Sequence, residues 1–223
     1  MNNFEKFKAY PLTYGLIIIN VVIFIIPQIF TALYEPIYEA YALNDYLTIF
    51  KGETYRLVTS IFLHFDGMHI FMNMLSLYMV GRMVEKLFST IAYLGIYFVT
   101  AFFGSMLSLY VHPNSWGVGA SGAIFGLFGA LVGFAFFHRK RMQNQFMAFM
   151  KDFGIILLIN LALGFIFPSI DMSAHVGGLL SGMILGYLIA RNFKLLWVYL
   201  LSSFGLLMLS YFYLEASFSH YAM

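Results

Sequence analysis

Residues 117–137 read Gly-Val-Gly-Ala-Ser-Gly-Ala-Ile-Phe-Gly-Leu-Phe-Gly-Ala-Leu-Val-Gly-Phe-Ala-Phe-Phe, with His-Arg-Lys-Arg directly after them. The stretch carries no charge, and a bilayer core takes about 20 largely apolar residues of helix. It is therefore long enough to cross, and the basic cluster at 139–141 marks one end of the crossing. Inside it Gly122, Gly126, Gly129 and Gly133 follow a 4-3-4 spacing. On a helix that spacing leaves a stripe without side chains, where a second helix can approach closely.

Six further apolar runs surround this one, bounded by charges or prolines. The full set is 12–33, 68–87, 91–111, 119–137, 153–167, 173–190 and 195–214, the fifth being short. The expected fold class is an all-α polytopic membrane protein with seven spans. The first run follows Lys6 and Lys8 but is too long for the apolar region of a signal peptide and lacks a cleavage site. It reads as an uncleaved span. The long break at 34–67 mixes aromatic and charged residues and is expected to form amphipathic pieces at the membrane interface.

Composition agrees: 61% of the 223 residues are hydrophobic and 10% charged, against about a quarter charged in a soluble domain. Nucleic-acid binding through a basic face and an acidic disordered tail are excluded. The absence of cysteine excludes a disulfide scaffold. No cofactor is expected. The sequence does not define an oligomeric state.

The net charge of +2 hides a strong asymmetry. Lys6, Lys8, Arg82, Lys86, Arg139, Lys140, Arg141, Lys151, Arg191 and Lys194 fall in alternate loops on one side, and only Lys51 and Arg56 on the other. Cytoplasmic loops retain Lys and Arg. Residues 1–11 are thus expected to be a cytoplasmic tail, 34–67 an external interfacial loop, and 215–223 an external tail. The expected location is a plasma membrane, bacterial in type.

Strongly polar groups within hydrocarbon are costly, so each marks a functional hypothesis. His69 and Asn73 lie in the second run, Ser121 in the fourth and His175 in the sixth. With the orientation above, all three runs begin outside, and all four residues lie within about two turns of that end. They share one depth. His69 and Asn73 are four apart and so occupy one helix face. Gly178, Gly182 and Gly186 form a stripe on the sixth run that includes His175. Ser121 sits about one residue off the stripe of its own run, which a non-helical lead-in at 117–120 corrects. Contact between the two stripes would bring Ser121 to His175.

Each element alone has a plainer reading. A serine in a membrane helix commonly bonds to its own backbone, and glycine stripes serve packing. His64, Arg56 and Glu85 read as structural residues, as does Asn160 through an interhelical hydrogen bond. His112, His138 and His220 require no special role. The combination of Ser, two His and Asn on three helices at one depth is what packing alone does not explain.

Together, His69-x-x-x-Asn73, Gly119-x-Ser121-Gly122 and Ala174-His175-x-Gly177-Gly178-x-x-x-Gly182 resemble the rhomboid intramembrane serine proteases. His64, and Gly81 with Glu85, also fit that family's pattern. The resemblance implies a six-helix catalytic core, 12–190, with 195–214 as an additional seventh span. It implies Ser121 as nucleophile and His175 as general base, with His69, Asn73 and the Ser121 N–H forming the oxyanion hole. Two positions depart from the common family pattern: Phe125 stands where many members have tyrosine, and Tyr55-Arg56 where many have Trp-Arg.

A serine hydroxyl becomes an effective nucleophile when an adjacent imidazole takes its proton. No carboxylate is an obvious partner for His175, since Asp171 is placed to cap the sixth span. A Ser-His dyad is the expectation. The expected activity is endopeptidase cleavage of transmembrane protein substrates near the external face. The resemblance further implies a mobile fifth span beside a covering loop at 168–172. A non-catalytic rhomboid-like binding or escort factor is the alternative, and a small transporter a more distant one. No His-Glu-x-x-His motif and no intramembrane aspartate pair is present.

Overall fold

The computed structural model describes residues 9–142, 146–148, 150–151, 154–155, 157–159 and 170–219. Most of the expected fifth span at 153–167, including Asn160, lies outside the described residues. So do Pro168, Ser169 and His220.

The long helices are α1 (Pro11–Ile29), α4 (Gly67–Leu87), α5 (Thr90–Val111), α6 (Ser121–Met142), α7 (Met172–Arg191) and α8 (Leu195–Ser219). Among the described residues α1, α5, α6 and α7 are both long and apolar enough to cross a membrane. Helix α4 has 21 residues, but His69, Asn73, Arg82, Glu85 and Lys86 lower its apolarity.

Between α1 and α4 the chain folds into short pieces: α2 (Tyr34–Tyr41), a π-helical turn (Tyr46–Phe50), α3 (Arg56–Thr59) and a 3-10 turn (Ser60–Phe62). Arg56, only 3% exposed, holds them together. Its guanidinium donates to Glu53 Oε2 at 2.7 Å and to the Ala42 carbonyl at 2.7 Å. Among the described residues, a two-residue antiparallel pairing of β1 (Leu43–Asn44) with β2 (Trp116–Gly117) departs from a purely helical expectation. Asp45 reinforces it by accepting from the Asn114 N–H at 2.9 Å.

Backbone contact sets the core of the bundle. A Cβ at Gly178 would collide with the Gly122 carbonyl, one at Gly182 with that of Gly126, and one at Gly186 with that of Ala130. From the other side, Gly129 meets the Leu179 carbonyl and Gly133 that of Met183. Residue numbers rise together in these pairs, so α6 and α7 run parallel. Thr100 of α5 fills the space beside Gly126, and Gly104 abuts the Ala174 carbonyl.

Glu85 closes the other end of the bundle. It accepts from the Leu12 N–H at 2.8 Å, the Thr13 N–H at 2.9 Å and the Thr13 hydroxyl at 2.6 Å. The first turn of a helix leaves its N–H groups unpaired, and a carboxylate there satisfies them and complements the helix dipole. The start of α1 thereby lies against the end of α4. The basic residues at the ends of α4, α6 and α7 accordingly gather at one end of the bundle.

Candidate active site

At the opposite end, two aspartates start the helices that carry the histidines. Asp66 caps α4 by accepting from the His69 N–H at 2.8 Å. Asp171 caps α7 by accepting from the N–H groups of Ser173 and Ala174 at 3.0 and 3.1 Å, and from the Ser173 hydroxyl at 2.5 Å. Aspartate is among the best N-cap residues. Asp66 precedes His69 by three residues and Asp171 precedes His175 by four, so each cap fixes the backbone turn from which its histidine projects.

Ser121 is the first residue of α6, after a non-helical lead-in. Gly119 in that lead-in has φ +124°, a conformation that L side chains rarely adopt. Its N–H donates to the Ser60 carbonyl at 3.0 Å. A Cβ at Gly119 would lie 2.7 Å from His69 Nε2 and 3.9 Å from Ser121 Oγ. The missing side chain is therefore what admits the His69 ring and the Ser121 hydroxyl to the same space. The first amide closing onto α6 is that of Ile124, bonded to the Ala120 carbonyl at 3.0 Å. The Ser121 N–H precedes it, among the amides a helix start leaves open.

Asn73 is one turn along α4, and its Nδ2 donates to the His69 carbonyl at 2.9 Å. An amide nitrogen has two hydrogens, so this bond fixes the carboxamide and leaves one donor. His175 is 5% exposed and lies face to face with Phe125, ring centroids 4.1 Å apart and planes 12° from parallel. Phe125 is one turn beyond Ser121, and Gly178, three residues beyond His175, docks on the Gly122 carbonyl. His175 thus lies over the first turns of the helix that begins at Ser121. Ser121 Oγ and the His175 ring do not form a hydrogen bond with each other in this geometry. Nδ1 of His175 is buried without a hydrogen-bond partner.

Around this group, His64 is fully buried and its ring centroid is 5.0 Å from that of His69. Burial, with His69 as a lesser cause, pushes its pKa down to about 3, so it is neutral at ordinary pH. Its carbonyl accepts from the Tyr38 hydroxyl. The Glu53 carboxyl is held below the usual carboxylate range by its bond to Arg56. No group of three His, Asp or Glu among the described residues could hold a metal ion.

Of the residues read from sequence, the structure brings His69 and Ser121 together at Gly119, ties Asn73 to the His69 carbonyl and sets His175 on Phe125. The sequence pattern does not single out Gly119, Asp66 or the Glu85 cap on α1 in the roles the structure gives them. For Asp66, the signal was present in Asp66-Gly67-Met68-His69, an N-cap residue three before the histidine.

Residues 51–192 match the family model described as Rhomboid domain. RHOMBOID-like protein 1 of Arabidopsis thaliana is 39% identical over 146 residues, covering 66% of this chain and 37% of that protein. Rhomboid protease GluP of Bacillus subtilis is 37% identical over 147 residues, 64% of this chain and 27% of that protein. Rhomboid-like protease 1 of Toxoplasma gondii is 34% identical over 156 residues, 66% of this chain and 52% of that protein. The matched stretch spans about a quarter to a half of these relatives' own length.

Proposed function

The chain belongs to the rhomboid family, and from that premise we propose that it is an intramembrane serine endopeptidase working by a Ser121–His175 dyad. The observation that carries the reading is the stacking of His175 on Phe125, beside the Gly122–Gly178 contact. A general base is thereby held over the helix start that bears a serine.

In the proposed reaction, Ser121 Oγ attacks the scissile carbonyl while a His175 ring nitrogen takes its proton. The tetrahedral oxyanion is met by the Ser121 N–H, His69 and the free hydrogen of Asn73. A donor of this kind is worth about 3 kcal/mol in comparable sites. His175 then gives its proton to the leaving amine, and water, activated by the same imidazole, releases the acyl group. Asp171 is engaged with its own helix start, and this favours a dyad over a triad.

We further propose seven crossings with the N-terminus cytoplasmic, in a plasma membrane of bacterial type. Two parallel helices, α6 and α7, call for a return crossing between them, and the basic residues gathered at one end match a cytoplasmic side. The site then opens outward, and its substrates are transmembrane proteins cut near the external face.

The test is labelling by a serine-reactive fluorophosphonate. It should be abolished in Ser121→Ala and in His175→Ala. Labelling that persists in the serine variant would rule the protease reading out and leave a non-catalytic binding or escort role.

A further inference from the structure

At the end of the bundle opposite the site, where Glu85 ties α4 to the start of α1, one cation lacks an anion. Arg82 of α4 lies over two tyrosine rings, its guanidinium carbon 4.2 Å from the centroid of Tyr78 and 5.3 Å from that of Tyr10. The charge is thereby held by ring faces, which take up none of the five N–H donors of a guanidinium. Among the described residues those donors are unused. Glu85, three residues on, directs its carboxylate to Leu12 and Thr13. The ion pairs among the described residues are Arg56 with Glu53 and His112 with Asp171, and Nε of Arg82 is buried without a hydrogen-bond partner.

An arginine at a membrane border commonly extends its head into water. Arg82 is instead half-buried and held by rings from both helices, so its charge stays at the seam of α1 and α4. A buried donor on a charged group that finds no acceptor is costly. The seam is therefore built to receive one.

The surroundings select the kind of anion. Phe71, Leu75, Tyr78 and Arg82 follow a 4-3-4 spacing and so share one face of α4. Along that face Tyr78 meets Tyr14 of α1 edge-on, ring centroids 6.2 Å apart, and deeper in the membrane Leu75 and Phe71 are 42% and 58% exposed. Ile18, one turn beyond Tyr14, is 51% exposed. Lys86, one turn beyond Arg82 in the other direction, is exposed and adds a second positive charge. The order along the seam is cation, aromatic pair, then apolar surface, which is the complement of an amphiphile with an anionic head.

We propose that the seam of α1 and α4 at Arg82 binds the phosphate of an anionic phospholipid, whose acyl chains lie along Leu75, Phe71 and Ile18. Phosphate oxygens match the fork of guanidinium donors. A free phosphate ion offers the same oxygens but makes no use of the apolar strip. The basic residues gather at this end, cytoplasmic in the proposed topology, and basic pockets between spans on that side suit anionic headgroups. No residue of the seam belongs to the proposed dyad or oxyanion hole, so binding here stands apart from the protease reading.

The experiment titrates the full chain in detergent micelles with phosphatidylglycerol or phosphatidylcholine and counts bound lipid by native mass spectrometry, with melting curves in parallel. Phosphatidylglycerol should bind wild type about tenfold more tightly, as expected for hydrogen bonds to a charged group. Arg82→Gln should bind the two lipids alike. Lys140→Gln, which removes the same charge from an exposed position at the same end, should keep the full preference. Tyr78→Leu retains every charge but removes the nearer ring, and should weaken the preference roughly threefold; it also serves as the second variant where Arg82→Gln does not fold. Equal affinity of wild type for both lipids, or a preference that persists in Arg82→Gln, would overturn the site. An equal loss in Lys140→Gln would assign the preference to diffuse surface charge and overturn it as well. Inorganic phosphate that raises the melting temperature as much as the same concentration of phosphatidylglycerol would assign Arg82 to a free anion and overturn the lipid site.

Discussion

Phe125 stacks on His175 as a nearly parallel ring at 4.1 Å, and no hydroxyl accompanies that contact. The imidazole is thus held by a face, with Nδ1 buried and unbonded. Aromatic pairs of this kind contribute about 0.5–1.5 kcal/mol beyond burial. Phe125→Ala should lower kcat roughly three- to tenfold while the protein still folds. Phe125→Leu, which fills the space without a ring, should recover stability but not rate. Fluorophosphonate labelling rates and thermal melts on the two variants separate these effects.

Gly178 has no room for a methyl group, because the Gly122 carbonyl occupies the position of its Cβ. Gly178→Ala should push α7 from α6, cost about 1–3 kcal/mol as overpacking does, and abolish cleavage by drawing His175 off Ser121. Gly205 has nothing within 4 Å of its would-be Cβ. Gly205→Ala should leave both melting and cleavage unchanged.

Asp171 tests the dyad. Asparagine caps a helix about as well as aspartate, so Asp171→Asn should keep activity within about threefold of wild type. Asp171→Ala should lose about 1 kcal/mol of stability with the cap. An Asp171→Asn protein as inactive as His175→Ala would show that the carboxylate serves the base.

His64 gives a signed pH dependence. Its folded pKa, about 3, lies below the ordinary value of about 6.5, so the unfolded chain binds a proton that the folded chain refuses. Stability should be unaffected by this group above about pH 6.5 and should fall below it by about 1.4 kcal/mol per pH unit toward the folded value. Melting temperatures from pH 7 to 4.5 should show that slope. His64→Leu should flatten it; an unchanged slope would assign the acid sensitivity elsewhere.

The apolar runs, the four polar residues and the glycine stripes were legible because each is periodic or chemically conspicuous along one helix. The pairing of Leu43–Asn44 with Trp116–Gly117 was not, since two residues show no alternation and the contact joins segments far apart in sequence. Glu85 is another such case. Its position near the end of α4 was visible, but its partners, the amides of Leu12 and Thr13, are 73 and 72 residues away. Gly119 stands in the Gly-x-Ser-Gly motif, yet its need for a positive φ depends on where the His69 ring comes to rest, which no local pattern encodes.

The carbonyl contacts between α6 and α7 repeat every fourth residue, and a repeat of that kind invites slippage by one turn. Two phenylalanines forbid it in one direction. Advancing α7 by one turn would place Gly186 opposite Phe134 instead of Ala130, and the Met183 carbonyl opposite Phe137 instead of Gly133. The ladder therefore cannot move forward by a notch. The level of His175 against the start of α6 is thus limited by bulky residues several turns away, so a change at Phe134 or Phe137 should detune the proposed cleavage without touching Ser121 or His175.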